Sequence, residues 1–261
     1  MTSLTTSPTV ATSVVAGVAR VALSRPDKLN ALTLPMIDEL VAAARSIRRD
    51  RSVRVVVLSG EGDAFCAGLD LRAALGDVRG IATRFVPRAW PWPPTNAFQE
   101  VGWAWRRLPV PVVAVVHGHC LGAGLQLALG ADLRVSTADA QWSVREARWG
   151  LVPDMSGTRT LTEVVGLDVA KDLTLTARTV DGTEAHRLGL ATRVAPDLEA
   201  AHRVADELVS QLVAHDAHAL AAAKRLLDGA AHGSAPRAFA RERRAQLRLL
   251  RRLDRSGLPG R

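Results

Sequence analysis

The sequence predicts an α/β core followed by a helical tail. Three observations carry that expectation. Two aliphatic runs, Val53 to Leu58 and Val112 to Val116, have the composition of buried strands. Each run leads through a glycine-containing turn into residues that resemble a helix start. From Leu161 onward the apolar spacing is mainly helical, which suggests a helical segment added to the core.

The elements follow in order. Val14 to Leu23 alternates loosely around Gly17 and reads as a strand or hairpin. Asp27 to Leu32 reads as a turn. Thr33 offers an N-cap with Pro35 in the first helical turn, and Ile37, Leu40, Val41, Ala44 and Ile47 recur at helical spacing. The strand Val53 to Leu58 ends in the turn Ser59 to Asp63. Phe65-Cys66-Ala67-Gly68 then leads to Leu69-Asp70-Leu71, a second helix start. Leu75 to Glu100 is the least regular segment, broken by Pro87, Pro91, Pro93 and Pro94; carrying Trp90 and Trp92, it reads as a lid or pocket wall. Trp103 and Trp105 belong to the helix that follows. Val112 to Val116 meets the turn Gly118 to Gly124, which opens into the apolar helix Leu125 to Leu129. Leu133 to Ser136 and Gln141 to Val144 are further strand candidates. Ala201, Val204, Ala205, Leu208 and Leu212 share one face of a helix, and Ala217 to Leu227 and Arg237 to Leu253 repeat the habit.

A chain of 261 residues can bury a substantial core, and 48% hydrophobic with 23% charged residues is the balance of an ordinary soluble globular protein. No apolar run approaches a membrane span. Met1 to Ser13 lacks a basic n-region and is not a credible secretory signal, so the expected location is cytoplasmic. Cys66 and Cys120 form neither a ligand cluster nor a disulfide framework and read as small apolar fillers. His117 and His119 have no acidic or Cys partner at ligand spacing, so no metal site is expected. The net charge of +8 lies largely in Arg237, Arg241, Arg243, Arg244, Arg248, Arg251, Arg252 and Arg255. Only Phe239 is interleaved with those arginines, which favours a solvated helix face over a nucleic-acid interface.

Two strand-to-helix turns carry the chemistry. At Ala67-Gly68-Leu69-Asp70 and at Leu121-Gly122-Ala123-Gly124, small residues leave the first backbone N–H groups of a helix accessible. Together, two such groups could donate to one oxygen and stabilise negative charge developing on it. No Gly-x-Ser-x-Gly elbow is present, and the second turn has neither dinucleotide glycine spacing nor a following Lys-Ser/Thr.

With these motifs the chain resembles the crotonase family, the enoyl-CoA hydratase/isomerase superfamily, from about Val18 to about Leu227. The residues that carry the resemblance are Leu23 to Leu32, Phe65 to Leu71, Val116 to Gly124, Glu146 to Thr158, and Thr179-Val180-Asp181 with Glu184-Ala185 and Gly189-Leu190. The resemblance implies an α/β fold, a spiral of ββα repeats over residues 1–200 that binds CoA and the acyl chain, with a C-terminal helical trimerisation region over 201–261. It implies a homotrimer or hexamer and an acyl-CoA thioester substrate. Coenzyme A enters as part of that substrate, with no separate cofactor, metal or membrane partner. The family's oxyanion donors map onto the N–H groups of Leu69 and Ala123. CoA would lie against Lys28, Leu29 and Ala31, with Ala67 offering its carbonyl to the adenine.

The chain departs from the family's hydratases at one catalytic position. They use two glutamates, and the first maps onto Gln126, an amide that cannot exchange a proton near neutral pH. The second maps onto Glu146. Asp154 matches an aspartate found near the active site of the dienoyl-CoA isomerase branch, although that branch has an acid where this chain has Gln126. One retained glutamate is the pattern of Δ3-Δ2 enoyl-CoA isomerases. The expectation is therefore isomerisation with Glu146 as base and shuttle, and Asp154 orienting it or sharing its proton. The alternatives are hydration, using Glu146 with Asp154 or a Gln126-held water, and a catalytically silent acyl-CoA-binding or RNA-binding homologue. Trp142 and Trp149 bracket Glu146 and read as core rather than pocket wall.

Overall fold

The computed structural model describes residues 8–86, 95–230 and 234–256. Residues 87–94 of the expected lid or pocket wall, Leu75 to Glu100, lie outside them. The chain opens with a hairpin of β1 (Val10–Val15) and β2 (Val18–Leu23), then α1 (Leu34–Arg49) and β3 (Val55–Gly60). Three helices follow: α2 (Leu71–Leu75), α3 (Val78–Phe85) and α4 (Ala97–Arg106). Next come β4 (Val112–Val116), β5 (His119–Leu121), α5 (Ala123–Ala128), β6 (Leu133–Thr137) and β7 (Gln141–Ser143). The remainder is α6 (Gly157–Val165), α7 (Leu167–Thr176), β8 (Thr179–Val180), α8 (Gly182–Leu188), β9 (Arg193–Ala195), α9 (Leu198–Ala214), α10 (Ala217–Ala230) and α11 (Ala235–Ser256).

A six-stranded sheet runs in the order β1-β2-β3-β4-β6-β9, parallel except for the β1–β2 hairpin. Its central strands are aliphatic on both faces because both are covered. Val56, Leu58, Val112, Ala114 and Val116 enter the main core with Ile37, Leu40 and Trp105, while Val55, Val57, Val113 and Val115 meet Ala201, Ala205 and Val209 of α9. The expected division at residue 200 thus falls inside a helix that packs on the sheet. A second sheet, β5-β7-β8, stands beside the first.

Several local expectations are met. Thr33 caps α1, its hydroxyl accepting from the Met36 amide at 3.3 Å, with Pro35 in the first turn. Others are corrected. The strand expected at Val53 to Leu58 begins two residues later, because Val53 still belongs to the turn closed by its bond to Asp50 O. The turn Gly118 to Gly124 contains a strand, β5, paired with β7. The irregular segment after Leu75 contains α3, whose first turn is capped by the Asp77 carboxylate on the Gly80 amide at 2.8 Å. The tail after Leu161 also includes β8 and β9, too short to show a period of their own.

Helix α10 is tied to the sheet by a part-buried ion pair. Lys224 of α10 reaches Asp132 Oδ2 at 2.7 Å and Val110 O at 3.0 Å, at the entrances to β6 and β4. No helix among the described residues is long and apolar enough to cross a membrane.

Candidate active site

The two glycine-bearing turns pack against each other. Cys66 and Cys120 form an isolated parallel bridge, with Cys66 N donating to His119 O at 2.8 Å and Leu121 N to Cys66 O at 3.0 Å. Both thiols are buried as fillers, and burial pushes that of Cys66 up to about 12. Glycine is required where the turns touch. A Cβ on Gly124 would lie 2.4 Å from Cys66 O, and one on Gly68 would lie 2.9 Å from Leu121 O and 3.8 Å from Ala123 N. The backbone preceding Leu69 therefore sits directly beside the Ala123 amide. Among the described residues neither the Leu69 nor the Ala123 N–H has an acceptor, whereas their neighbours Asp70 N and Gly122 N are bound to Leu32 O and Ser143 O.

The first turn is held from below by Asn30. Its backbone has φ +56°, which asparagine tolerates better than most residues. Its buried side chain donates to Glu61 O at 2.9 Å and Ala64 O at 2.7 Å and accepts from Arg25 N at 2.8 Å. Arg25 in turn binds Asp70 at 3.0 Å, and the Asp70 carboxylate caps α2 through the Ala73 amide at 3.1 Å. These bonds hold residues 28–32 alongside 67–70, where Ala67 N donates to Leu29 O and Leu32 N to Gly68 O.

The acid comes from the chain after β7. Glu146 is 9% exposed. Its Oε1 accepts from Gln126 Nε2 at 2.5 Å, and its Oε2 is buried without a partner among the described residues. The Gln126 amide has only one possible orientation, because its Oε1 accepts from Met155 N at 2.8 Å and Gly157 N at 3.0 Å. Gly157 is glycine for that reason: a Cβ there would lie 2.4 Å from Gln126 Oε1. The backbone at Gly122, with its positive φ of +50°, favours glycine; a Cβ there would stand at ordinary contact distance, 3.4 Å, from Glu146 Oε1. Burial raises the Glu146 carboxyl above the ordinary glutamate value. The Gln126 hydrogen bond opposes that rise, and the Asp154 charge adds to it. Asp154, half-buried, is raised by burial as well.

One cavity of about 390 Å³ collects these groups. Lys28, Ala31, Ala67, Leu69, Ala123, Gln126, Glu146 and Asp154 line it, while Leu29 does not. Gly68, Gly122, Arg72, Arg145 and Met155 also line it; of these, the glycines were legible as turn residues, but nothing in local sequence marks Arg145. Trp149 corrects the core expectation: it is 66% exposed at the cavity, whereas Trp142 is buried and donates to Ser136 Oγ at 3.0 Å. His117 is used inside the fold, its Nε2 lying 2.8 Å from Gly62 O. No group of His, Cys, Asp or Glu among the described residues could hold a metal.

The profile of the enoyl-CoA hydratase/isomerase family matches residues 13–258. A peroxisomal Δ(3,5)-Δ(2,4)-dienoyl-CoA isomerase of Arabidopsis thaliana is 33% identical over 180 residues, covering 66% of this chain and 63% of its own. The human mitochondrial enzyme of that name is 36% identical over 207 residues, 77% of this chain and 63% of its own. The chain thus spans less than two-thirds of the length of these relatives. A Thermobifida fusca protein provisionally assigned as an enoyl-CoA hydratase, solved with acetoacetyl-CoA, superposes with a TM-score of 0.84 at 36% identity, over 94% of this chain and 96% of that one. On the shared fold, the family profile and these relatives together, the chain belongs to the enoyl-CoA hydratase/isomerase family.

Proposed function

We propose that this protein isomerises the double bond of an enoyl-CoA thioester, with Glu146 as the proton shuttle. The observation that carries the proposal is the direct Gln126–Glu146 contact at 2.5 Å. An amide cannot serve as the second acid–base, and at that separation no water fits between the two side chains. Glu146 Oε2 has no hydrogen-bond partner among the described residues, and Glu146 lines the cavity that Leu69 and Ala123 also line.

The steps follow from that arrangement. The thioester oxygen accepts from the Leu69 and Ala123 N–H groups. Ionised Glu146 removes a proton from C2 of a 3-enoyl-CoA, and the electron pair moves onto the thioester oxygen as a dienolate. The two donors stabilise this charge by roughly 3 kcal/mol each. Protonated Glu146 then delivers its proton to C4, and the double bond becomes C2–C3. Lys28, Ala31 and Ala67 provide the wall for CoA. That a structural relative was solved with acetoacetyl-CoA supports a thioester ligand.

A second reading uses Asp154. The dienoyl-CoA isomerases among the relatives and the presence of Asp154 beside Glu146 favour a 3,5-dienoyl-CoA, with one carboxyl taking the proton and the other returning it. Incubating 3-enoyl-, 3,5-dienoyl- and 2-enoyl-CoA separately with the protein tests both readings. The expected result is isomerisation of a 3-unsaturated ester and negligible 3-hydroxyacyl-CoA. Rapid hydration of the 2-enoyl ester would overturn the proposal in favour of a hydratase, and binding without any product would favour a silent acyl-CoA-binding protein. We also propose self-association through α10 and α11. The exposed Leu227, Phe239, Leu247 and Leu250 support it, and light scattering at a monomer mass would contradict it.

A further inference from the structure

We infer that the acyl chain of the preferred substrate carries a second anionic group, a carboxylate, and that Arg145 binds it. This rests on the acyl-CoA reading above and names the substrate class within it. Arg145 lines the same cavity as Glu146, its neighbour in sequence. It forms no ion pair or hydrogen bond through its side chain with any described residue, although Asp70, Glu146 and Asp154 share the cavity. The side chain is half-buried, and its buried Nε has no acceptor among the described residues.

The surroundings sharpen the need for an anion. Burial disfavours the Arg145 charge, and the charge of Arg148 disfavours it further. Arg148 is itself turned to Ala177 O at 3.1 Å. The carboxylate of Asp70 is held by Arg25, and Glu146 Oε1 is taken by Gln126. The sequence of residues 87–94 contains Arg88 and no acidic residue. The cavity's other cations, Lys28 and Arg72, belong to the segments that form the proposed CoA wall, whereas Arg145 belongs to the segment bearing the acid. A guanidinium that lines the same cavity as the proposed proton shuttle is therefore available to the acyl portion, and its planar fork suits a carboxylate.

Two sources of anion can be separated, an acyl carboxylate and a CoA phosphate. Calorimetric titration would compare butanoyl-, pentanoyl- and hexanoyl-CoA with succinyl-, glutaryl- and adipyl-CoA. These saturated esters read binding without turnover. The wild-type protein, Arg145→Ala and Arg145→Lys would each be titrated, and the same six acyl groups would be repeated as pantetheine thioesters, which lack the phosphates of CoA. The expected result is that at least one dicarboxylic ester binds roughly ten- to a hundredfold more tightly than its monocarboxylic partner, in both thioester series. Arg145→Ala would abolish that ratio, and Arg145→Lys would retain part of it. Equal binding across every pair overturns the inference while leaving the acyl-CoA reading intact. Uniform weakening of all CoA esters by Arg145→Ala, with pantetheine esters unaffected, overturns it in favour of a phosphate contact. No binding of any CoA ester overturns both readings. Circular dichroism of the variants would verify folding, which is expected because the Arg145 side chain bonds to none of the described residues.

Discussion

In its proposed role as base, Glu146 combines two requirements that pull against each other. A base must be ionised to accept a proton, yet its burial favours the neutral form. The Gln126 amide offsets part of that penalty by donating to Oε1. Glu146→Gln is expected to lower kcat by about a hundredfold or more, with acyl-CoA binding retained. It is also expected to raise the melting temperature at pH 7. A carboxyl whose folded pKa is raised favours folding while protonated, below its ordinary value of 4.5, and loses that contribution as pH rises through the folded value. The stability gain of the variant should therefore shrink as the buffer is acidified toward 4.5. Asp154→Asn removes a charge that disfavours ionised Glu146, so the acidic limb of the kcat–pH profile should move to lower pH. An unmoved limb would mean that Asp154 is electrostatically silent.

At the level of elements, the site exists because two turns dock through glycine. Gly124 meets Cys66 O and Gly68 meets Leu121 O, so neither turn can carry a side chain at the contact. Gly124→Ala is expected to destabilise the fold by about 1–3 kcal/mol through overpacking. It should also lower kcat by about a hundredfold, because it separates the Leu69 and Ala123 amides. Thermal melting and steady-state kinetics read the two effects independently. A variant that loses stability but keeps full kcat would argue against a shared oxyanion role for those amides. The motif Leu23 to Leu32 has a structural counterpart of the same kind: Asn30 bonds to Arg25, Glu61 and Ala64 and so aligns the turn bearing Lys28 and Ala31 with that bearing Leu69.

Across the whole molecule, α9 closes the second face of the sheet, and α10 is pinned by Lys224 to Asp132. Asp132 also accepts from Val112 N at 2.7 Å, at the start of the strand that leads to the second turn. Burial raises the Asp132 carboxyl, opposed by Lys224. Removing the ammonium would leave that carboxylate poorly solvated. Lys224→Ala is expected to destabilise the protein by about 3 kcal/mol, measured by denaturant unfolding. A double variant with Asp132→Asn should recover part of that loss, because the unpaired charge is then gone.

The strands and long helices were legible in the sequence because each carries its own physical signal. Val112–Val116 is aliphatic because it is covered on both faces, and Thr33 and Pro35 mark the start of α1 by capping geometry. The five motifs were enough to identify the family, since glycines at turns and a glutamate after β7 occur at positions set by local backbone needs. What the sequence left open depends on contacts between distant segments. β5, β8 and β9 are two or three residues long and exist only because neighbouring strands complete their hydrogen bonds. Trp142 and Trp149 look alike in sequence, yet one is core and the other lines the cavity. Gln126 announced the missing acid, but only the tertiary structure ties its amide to Met155 and Gly157 and sets it against Glu146. Arg145 carried no local signal at all. That no described residue pairs with it depends on the groups folded around it, and no window of sequence contains that information.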